Sequence, residues 1–578
     1  LVITSSAQAD SSLRVVYPPP NHQTTADRIF LIGTAARQTP VTINGQRLQQ
    51  RSRNGHFSPS FPLQLGKNTF VLNAGGQQLT LVVERLSNQP SLPVGLSFGK
   101  DSLAPAVPIA RPVNEPVCFS ALAPAAAQVS VQIGGKRILL RPASSADLPT
   151  NSAALTNSNQ PQAALPGLFQ GCTQFAKPGD LGQPRYQLTL NGQTLSETAK
   201  GKVEILDPDK LSTIVVNRPQ GGVARTGPST DHSRLTPLPP GTQARVTGWE
   251  GDWLRLDYGG WIRQPETQPL GLVGNSQTLI RSIRSREIPG WTEVIFPLQV
   301  PVPLQVNQGD QSFILRLYNT TAQTDVIALR DDPVIRRLDW QQVAPGQIEY
   351  RFSLKSAQQW GYKLRYEGSS LILALRHPPK LVNPQLPLRG TTILLDPGHG
   401  GPTDLGARGP TGLPEKQVTL LMSNLLKQAL EQRGAKVVLT RTTDADLDLP
   451  PRVDLINQLE PTLALSVHYN ALPDNGDAWN TQGVSMFWYQ PQSHSLATFL
   501  QNQVVTRLNR RSYGVFWNNL ALVRPTVAPS VLLELGFMIN PQEYEWIVDP
   551  VAQRRLADTL ANGVTLWLQQ QSRSSYQP

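Results

Sequence analysis

The sequence predicts a multidomain protein: β-rich modules of β-sandwich and small β-barrel type up to residue 377, then an α/β domain with a central, mostly parallel sheet. Three observations carry this. The chain has 578 residues, too many for one core at roughly 150 residues per domain. It holds 51 Pro and 44 Gly but only 16 % charged residues, which suits short strands and many turns better than helical bundles. After residue 390 the alternating strand pattern gives way to strands alternating with helices.

Taken in order, Leu1-Val-Ile-Thr-Ser-Ser-Ala-Gln-Ala-Asp10 reads as the remnant of a secretory signal over residues 1–10, with Ala7-Gln-Ala9 as its small-residue cleavage site. Export to the periplasm or cell wall is therefore expected. Three stretches then repeat one pattern: Val41-Thr-Ile-Asn-Gly-Gln-Arg-Leu48, Val131-Gln-Ile-Gly-Gly-Lys-Arg-Ile138 and Leu188-Thr-Leu-Asn-Gly-Gln-Thr-Leu195. Each is strand, Asn-Gly or Gly-Gly, strand, the strongest short hairpin signal. They belong to two β-sandwich-like modules, residues 11–86 and 116–207, with a Pro- and Ser-rich linker over 86–116. Residues 143–167, rich in Ser, Asn, Ala and Pro, read as a long mobile loop inside the second module. Cys118 and Cys172 either form one disulfide, as suits an exported protein, or remain two buried thiols.

Residues 211–263 carry Ala224-Arg-Thr-Gly-Pro-Ser-Thr-Asp231, Leu238-Pro-Pro-Gly241, Gly251-Asp-Trp253 and Gly259-Gly-Trp-Ile262. This order resembles the bacterial Src-homology-3-like modules of cell-wall enzymes. Trp249, Trp253 and Trp261 then either line a ligand groove or pack the small barrel. Residues 275–377 alternate apolar and polar side chains, as in Phe313-Ile-Leu-Arg-Leu-Tyr318 and Leu371-Ile-Leu-Ala-Leu375, a β-sandwich signature that faintly resembles AMIN domains. The linker Pro378 to Leu388, with four prolines, leads to the α/β domain at 388–570.

There Ile393 to Leu395 reads as a buried strand that Asp396 and Pro397 stop, and His399 follows among Gly398, Gly400 and Gly401. Ligands bind at the carboxyl edge of such sheets, so His399 is a metal ligand, a catalytic base or a capped turn histidine. Glu415 to Arg433 has the apolar stripe of a helix packed on a sheet, capped by Gly434, and Glu415 opens its first turn. Val437 to Leu439 and Leu463 to Val467 are strands, and the second ends in His468. A later run, Val531-Leu-Leu-Glu-Leu-Gly536, sets Glu534 among apolar residues, where an ionised carboxylate is costly unless it is paired or works at a site. His494 reads as a solvated helix cap; His22, His56, His232 and His377 carry no visible pattern.

Asp396-Pro-Gly-His-Gly-Gly401, Glu415 before a helix, Ser466-Val-His-Tyr-Asn470 and Leu533-Glu-Leu-Gly-Phe537 together resemble the zinc-dependent N-acetylmuramoyl-L-alanine amidases of the amidase-3 type. The resemblance implies His399, Glu415 and His468 as zinc ligands and Glu534 as the catalytic carboxylate. It implies hydrolysis of the amide between the lactyl group of N-acetylmuramic acid and L-alanine in peptidoglycan, with the β modules targeting the wall. Two imidazoles and one carboxylate leave a fourth zinc position open, as a catalytic site requires. The glycines around His399 would leave room for metal and substrate. Tyr469 stands where the family pattern has a small residue, and either narrows the mouth or packs inside. The competing readings are another zinc peptidase or deacetylase acting on peptidoglycan, and a wall-binding scaffold with a degenerate site.

The net charge of +11 favours an anionic polymer or surface, without a nucleic-acid-binding motif to go with it. Peptidoglycan is the partner the resemblance implies; no motif singles out a divisome or envelope partner. The longest apolar runs fall short of the ~18 residues of a membrane span. Some amidases of this type carry a helical plug after the second histidine strand. Here that segment is only Asn470 to Gln482, with Pro473 and Gly476, too short and too rich in turn formers for a stable helix. An open site is expected.

Overall fold

Asn44-Gly45, Gly134-Gly135 and Asn191-Gly192 each set two consecutive residues at positive φ, the geometry of a two-residue hairpin turn that Asn and Gly adopt most cheaply. The flanking strands pair accordingly: Ile43 with Gln46, Ile133 with Lys136, Leu190 with Gln193. The structure, a computed structural model, describes residues 12–88, 92–144, 146, 148–156, 159–161, 165–272 and 277–575. The signal-like segment 1–10 lies outside the described residues.

The first β unit closes around Ile29, Leu31, Phe57, Phe70, Leu72 and Val83. In the second, Cys118 and Cys172 are register partners on adjacent antiparallel strands and form a disulfide. Of the stretch expected to be mobile, Asn151–Thr156 is a short 3-10 helix whose Leu155 packs with Phe487, Phe516 and Leu532. Several other residues of 143–167 lie outside the described ones. Ile109–Pro112 pairs both with Val203–Leu206 and with Gln243–Glu250, so one sheet runs from the second unit into the strands of residues 213–271. Trp261 is buried there, with the guanidiniums of Arg111 and Arg255 at 5.6 and 5.9 Å from its ring centroid, and Trp249 packs on the core of Ile214, Val246 and Ile262. These two tryptophans therefore pack this unit. Two further sheets, of five and four strands, face each other across Phe313, Leu315, Tyr350, Phe352, Leu371 and Leu373.

The C-terminal sheet has six strands: β1 (Thr392–Pro397), β2 (Lys436–Leu439), β3 (Leu463–Asn470), β4 (Val484–Trp488), β5 (Ser512–Trp517) and β6 (Ser530–Phe537). Their order is β2-β1-β3-β6-β4-β5, with every neighbouring pair parallel except β4 and β6. Asp396 and Pro397 belong to β1 and do not stop it, because each meets a parallel partner, Ser466 and Val467. The helix α1 (Glu415–Glu431) buries Val418, Met422, Leu426 and Leu430 against Ile393, Leu395, Leu465 and Val467 on one sheet face. On the other face Leu394 and Ala464 meet Ile456 of α2 (Leu449–Leu459). Because strand side chains alternate, Ser466, His468, Leu532 and Glu534 share this second face.

The first β unit docks on the α/β domain. Phe30 and Ile32 pack with Ala478, Phe537 and Ile539, His22 Nε2 lies 2.8 Å from Asp474 Oδ2, and the Tyr17 hydroxyl also bonds Asp474. The segment Asn470 to Gln482 holds no helix, as its turn formers dictate, and it forms part of the surface on which this unit sits.

Candidate active site

His399 lies two residues past the end of β1 and adopts φ of 60°, a left-handed conformation that a non-glycine side chain enters at a cost of about 1–3 kcal/mol. The surroundings hold it there. Arg452 donates to the carbonyls of Pro397 and His399 at 2.7 and 2.8 Å and to Asp396 Oδ1 at 2.9 Å. Arg441 donates to the carbonyls of Pro397, Gly398 and Lys416 at 3.0, 2.9 and 2.8 Å. Lys416 Nζ donates to the Gly401 carbonyl and to Asp444 Oδ2, both at 2.6 Å. The buried carboxylate of Asp396 is matched by Ser466 Oγ at 2.6 Å as well as by Arg452, so this buried charge is paired and hydrogen-bonded.

The imidazole of His399 is oriented from behind, its Nδ1 lying 2.6 Å from Asp404 Oδ1. Its Nε2 lies 3.2 Å from Glu415 Oε2, and His468 Nδ1 lies 3.2 Å from Glu415 Oε1. Glu415 is buried and receives N–H donors from Ala407 and Tyr469, both at 2.9 Å. One donor atom from each of His399, Glu415 and His468 thus falls within 4.8 Å of the others. Three converging N and O donors, each free to be unprotonated, suit a zinc ion.

The glycines make room for this cluster. A Cβ on Gly398 would sit 2.2 Å from the His468 ring, and one on Gly406 would meet Glu415 Oε2 at 2.5 Å and His399 Cδ2 at 2.6 Å. The space beside His399 thus admits the other members of the cluster. Tyr469 is buried in the core behind the sheet, because it alternates to the face opposite His468, so it packs inside and does not narrow the mouth.

Glu534 on β6 is the register partner of His468 on β3. Its Oε2 is buried with no hydrogen-bond partner, so it is not an edge residue turned to water. Burial, then the nearby charge of Glu415, push its carboxyl well above the usual range. For Glu415 burial works upward, but hydrogen bonds and charge from His399 and His468 outweigh it and hold this carboxyl low. Burial opposes the charged form of His399, yet Glu415 and then Asp404 outweigh it and raise the imidazole to about 9.

The C-terminal part of the chain is similar to known amidases. A family model described as N-acetylmuramoyl-L-alanine amidase matches residues 393–566. The germination-specific N-acetylmuramoyl-L-alanine amidase of Bacillus subtilis is 34% identical over 201 residues, which cover 31% of this chain and 80% of that protein. The chain belongs to the N-acetylmuramoyl-L-alanine amidase family. The probable cell wall amidase LytH of Staphylococcus epidermidis is 33% identical over 180 residues, covering 31% of this chain and 58% of that relative. The solved N-acetylmuramoyl-L-alanine amidase from Clostridium difficile 630 is 30% identical, with a TM-score of 0.30, and is matched over 31% of this chain and 97% of its own.

In this amidase the sequence also holds residues that pattern reading passes over. Asp404, Arg441, Arg452 and Lys416 brace the cluster, and only the closure of the loop after β1 brings them to it. Nothing local in the sequence announces them: Arg452 lies on α2 and Arg441 two residues past β2, and both are buried. His494 opens the helix α3 (His494–Leu508), packed on Trp488 at 4.7 Å and apart from the cluster. His22, His56, His232 and His377 lie in the β units, bonded to Asp474, Thr34, Ser229 and Thr292.

Proposed function

We propose that the protein is an exported zinc amidase that hydrolyses the bond between the lactyl group of N-acetylmuramic acid and L-alanine in peptidoglycan. The observation that carries this reading is the convergence of His399, Glu415 and His468 within 4.8 Å, beside a carboxyl whose Oε2 is buried and unpartnered. His399 Nε2, a Glu415 oxygen and His468 Nδ1 would hold the ion, and Asp404 would fix the His399 ring with Nε2 forward. When bound, zinc supplies Lewis-acid chemistry, polarising the amide carbonyl and lowering the pKa of water toward about 7. Glu534 Oε2 takes the proton from the attacking water and later passes it to the nitrogen of the departing L-alanine. The atoms balance: hydroxide adds to the lactyl carbonyl carbon, the C–N bond breaks, and the amine leaves neutral. A carboxyl held above its usual range is the stronger base once ionised, and the apolar surroundings of Glu534 then keep the proton it has taken until the amine departs.

The β-rich units would add contacts to the wall and raise the effective concentration on a polymer. Export is supported by the Cys118–Cys172 disulfide, which persists in oxidising compartments. No helix of the described residues is long and apolar enough to cross a membrane. The experiment is digestion of purified muropeptides with metal content measured on the same sample. Release of intact stem peptides by zinc-loaded protein supports the reading; loss of acetyl groups or shortened stems would point to a deacetylase or peptidase.

A further inference from the structure

The first β unit and the amidase domain together line a cavity of about 430 Å³, within the size range of ligand clefts. One wall is the strand Gln77–Arg85. On one side this strand pairs along its whole length with Gly66–Ala74, but on the other only Val83, Glu84 and Arg85 have a partner, in His22–Thr24. The turn joining the long pair is Gly75-Gly76, both at positive φ, which makes Ala74 and Gln77 a hydrogen-bonded pair. Bonded and non-bonded positions alternate from there. Gln78, Thr80 and Val82 therefore turn their N–H and C=O groups to the open side, where no strand among the described residues meets them.

The chain from Leu13 to His22 runs beside this edge without filling it. The Leu13 N–H donates to Gln77 Oε1 at 2.6 Å, and His22 pairs with Val83. Between those points Arg14–Tyr17 joins the other sheet by pairing with Ile32–Thr34, and Val15, Val16 and Pro18 line the cavity with Leu79 and Leu81. Arg14 and, from the amidase domain, Arg408 also line it. Both are exposed, and neither is ion-paired among the described residues; Arg14 Nη1 donates only to the Thr411 carbonyl, at 3.0 Å. No acidic residue lines the cavity. Glu84, the one acid of the strand, lies past the lining and accepts from Gln23 Nε2 at 2.8 Å.

The cavity also adjoins the catalytic cluster through the chain. Arg408 follows Ala407, whose N–H bonds Glu415 Oε2 at 2.9 Å and whose carbonyl accepts from the Glu415 N–H at 2.8 Å. A free strand edge bonds the backbone of an extended peptide, and guanidiniums match carboxylates. We propose that this cavity binds a stem peptide of peptidoglycan in extended form, with the edge at Gln78, Thr80 and Val82 bonding its amides and Arg14 and Arg408 its carboxylates. The naming of the stem rests on the amidase reading; a site for an extended, carboxylate-bearing peptide does not. The first β unit is then part of the substrate site, and not only a tether to the wall.

The test is calorimetric titration of free stem peptide, which lacks muramic acid and offers no bond to cut, into the zinc-loaded full chain and its Arg408→Gln and Thr80→Pro variants. Arg408→Gln should weaken binding about tenfold with an unchanged melting temperature, since the side chain is exposed and unpaired. Thr80→Pro should weaken it similarly, because the ring removes an N–H that the paired strand does not use. Where Thr80→Pro melts earlier, Arg408→Gln and a stem with amidated carboxylates carry the test. Amidation should weaken binding to the wild type and affect Arg408→Gln less. No binding by the wild type, unchanged binding by Arg408→Gln, or tighter binding of an acidic protein peptide of the same length would overturn the proposal. Turnover of muropeptides by the same wild-type preparation tests the amidase reading separately: stem binding without turnover keeps the site and removes that reading.

Discussion

Across the strand pair β3 and β6, His468 and Glu534 stand in register on one face of the sheet, so the proposed metal ligand and the proposed proton carrier are set side by side by strand pairing alone. Their substitutions should separate cleanly. His468→Ala and His399→Ala should lose both zinc and turnover, because two remaining ligands hold the ion poorly. Glu534→Gln should keep zinc and lose turnover by ~10²-fold or more. Metal analysis beside muropeptide kinetics checks this; zinc lost from the Glu534 variant would make that residue a ligand.

Asp404 acts on His399 from 2.6 Å behind the ring. Asp404→Asn should weaken zinc affinity by ~10–100-fold, the usual effect of removing a carboxylate that orients a ligating histidine. Competition with a chromogenic chelator measures it, and an unchanged affinity would show that Glu415 alone orients the ring.

The proton balance of the cluster follows from the raised pKa of His399, about 9. A folded-state value above the unfolded ~6.5 means that the charged imidazole stabilises the metal-free fold fully below pH ~6.5, and that this stability fades as pH rises through about 9. A zinc ligand must be neutral. Zinc uptake at pH 7 should therefore expel the His399 proton, and that release should vanish as pH passes about 9. Calorimetry in buffers of different ionisation heat reads the release directly; a signal independent of buffer at pH 7 would contradict it.

Removing residues 1–274 should leave the amidase domain folded, because its main core lies within 388–568 apart from Trp360, which the truncation retains. It should not leave the domain well behaved. Phe537, Ile539 and Ala478, buried beneath Phe30 and Ile32, would meet water, at about 1.5–3 kcal/mol for each large side chain. The truncated protein should keep its near-ultraviolet circular dichroism yet bind an apolar dye and melt earlier than the full chain. Equal melting temperatures and no dye binding would mean that the first unit does not dock in solution.

Much of the amidase domain is legible in the sequence, because its signals are local. The apolar stripe of α1, the strand before His399 and the lone carboxylate of Glu534 each need only neighbouring residues to be read. Asn-Gly and Gly-Gly turns announce their hairpins for the same reason. What escapes sequence reading depends on distant partners. Asp396 looks like a strand stop until Ser466 and Arg452 are beside it. Asn470 to Gln482 is correctly read as lacking a helix, but nothing in it announces that Tyr17 and His22 reach Asp474.

The central claim is the bond that is cut, and mass spectrometry of muropeptides digested in heavy-oxygen water tests it most directly. The account predicts stem peptides with a free L-alanine amine and one heavy oxygen in the lactyl carboxylate, formed by the zinc-loaded protein and not by Glu534→Gln. Heavy oxygen in released acetate or in a carboxylate within the stem peptide, or equal products from the Glu534 variant, would contradict it.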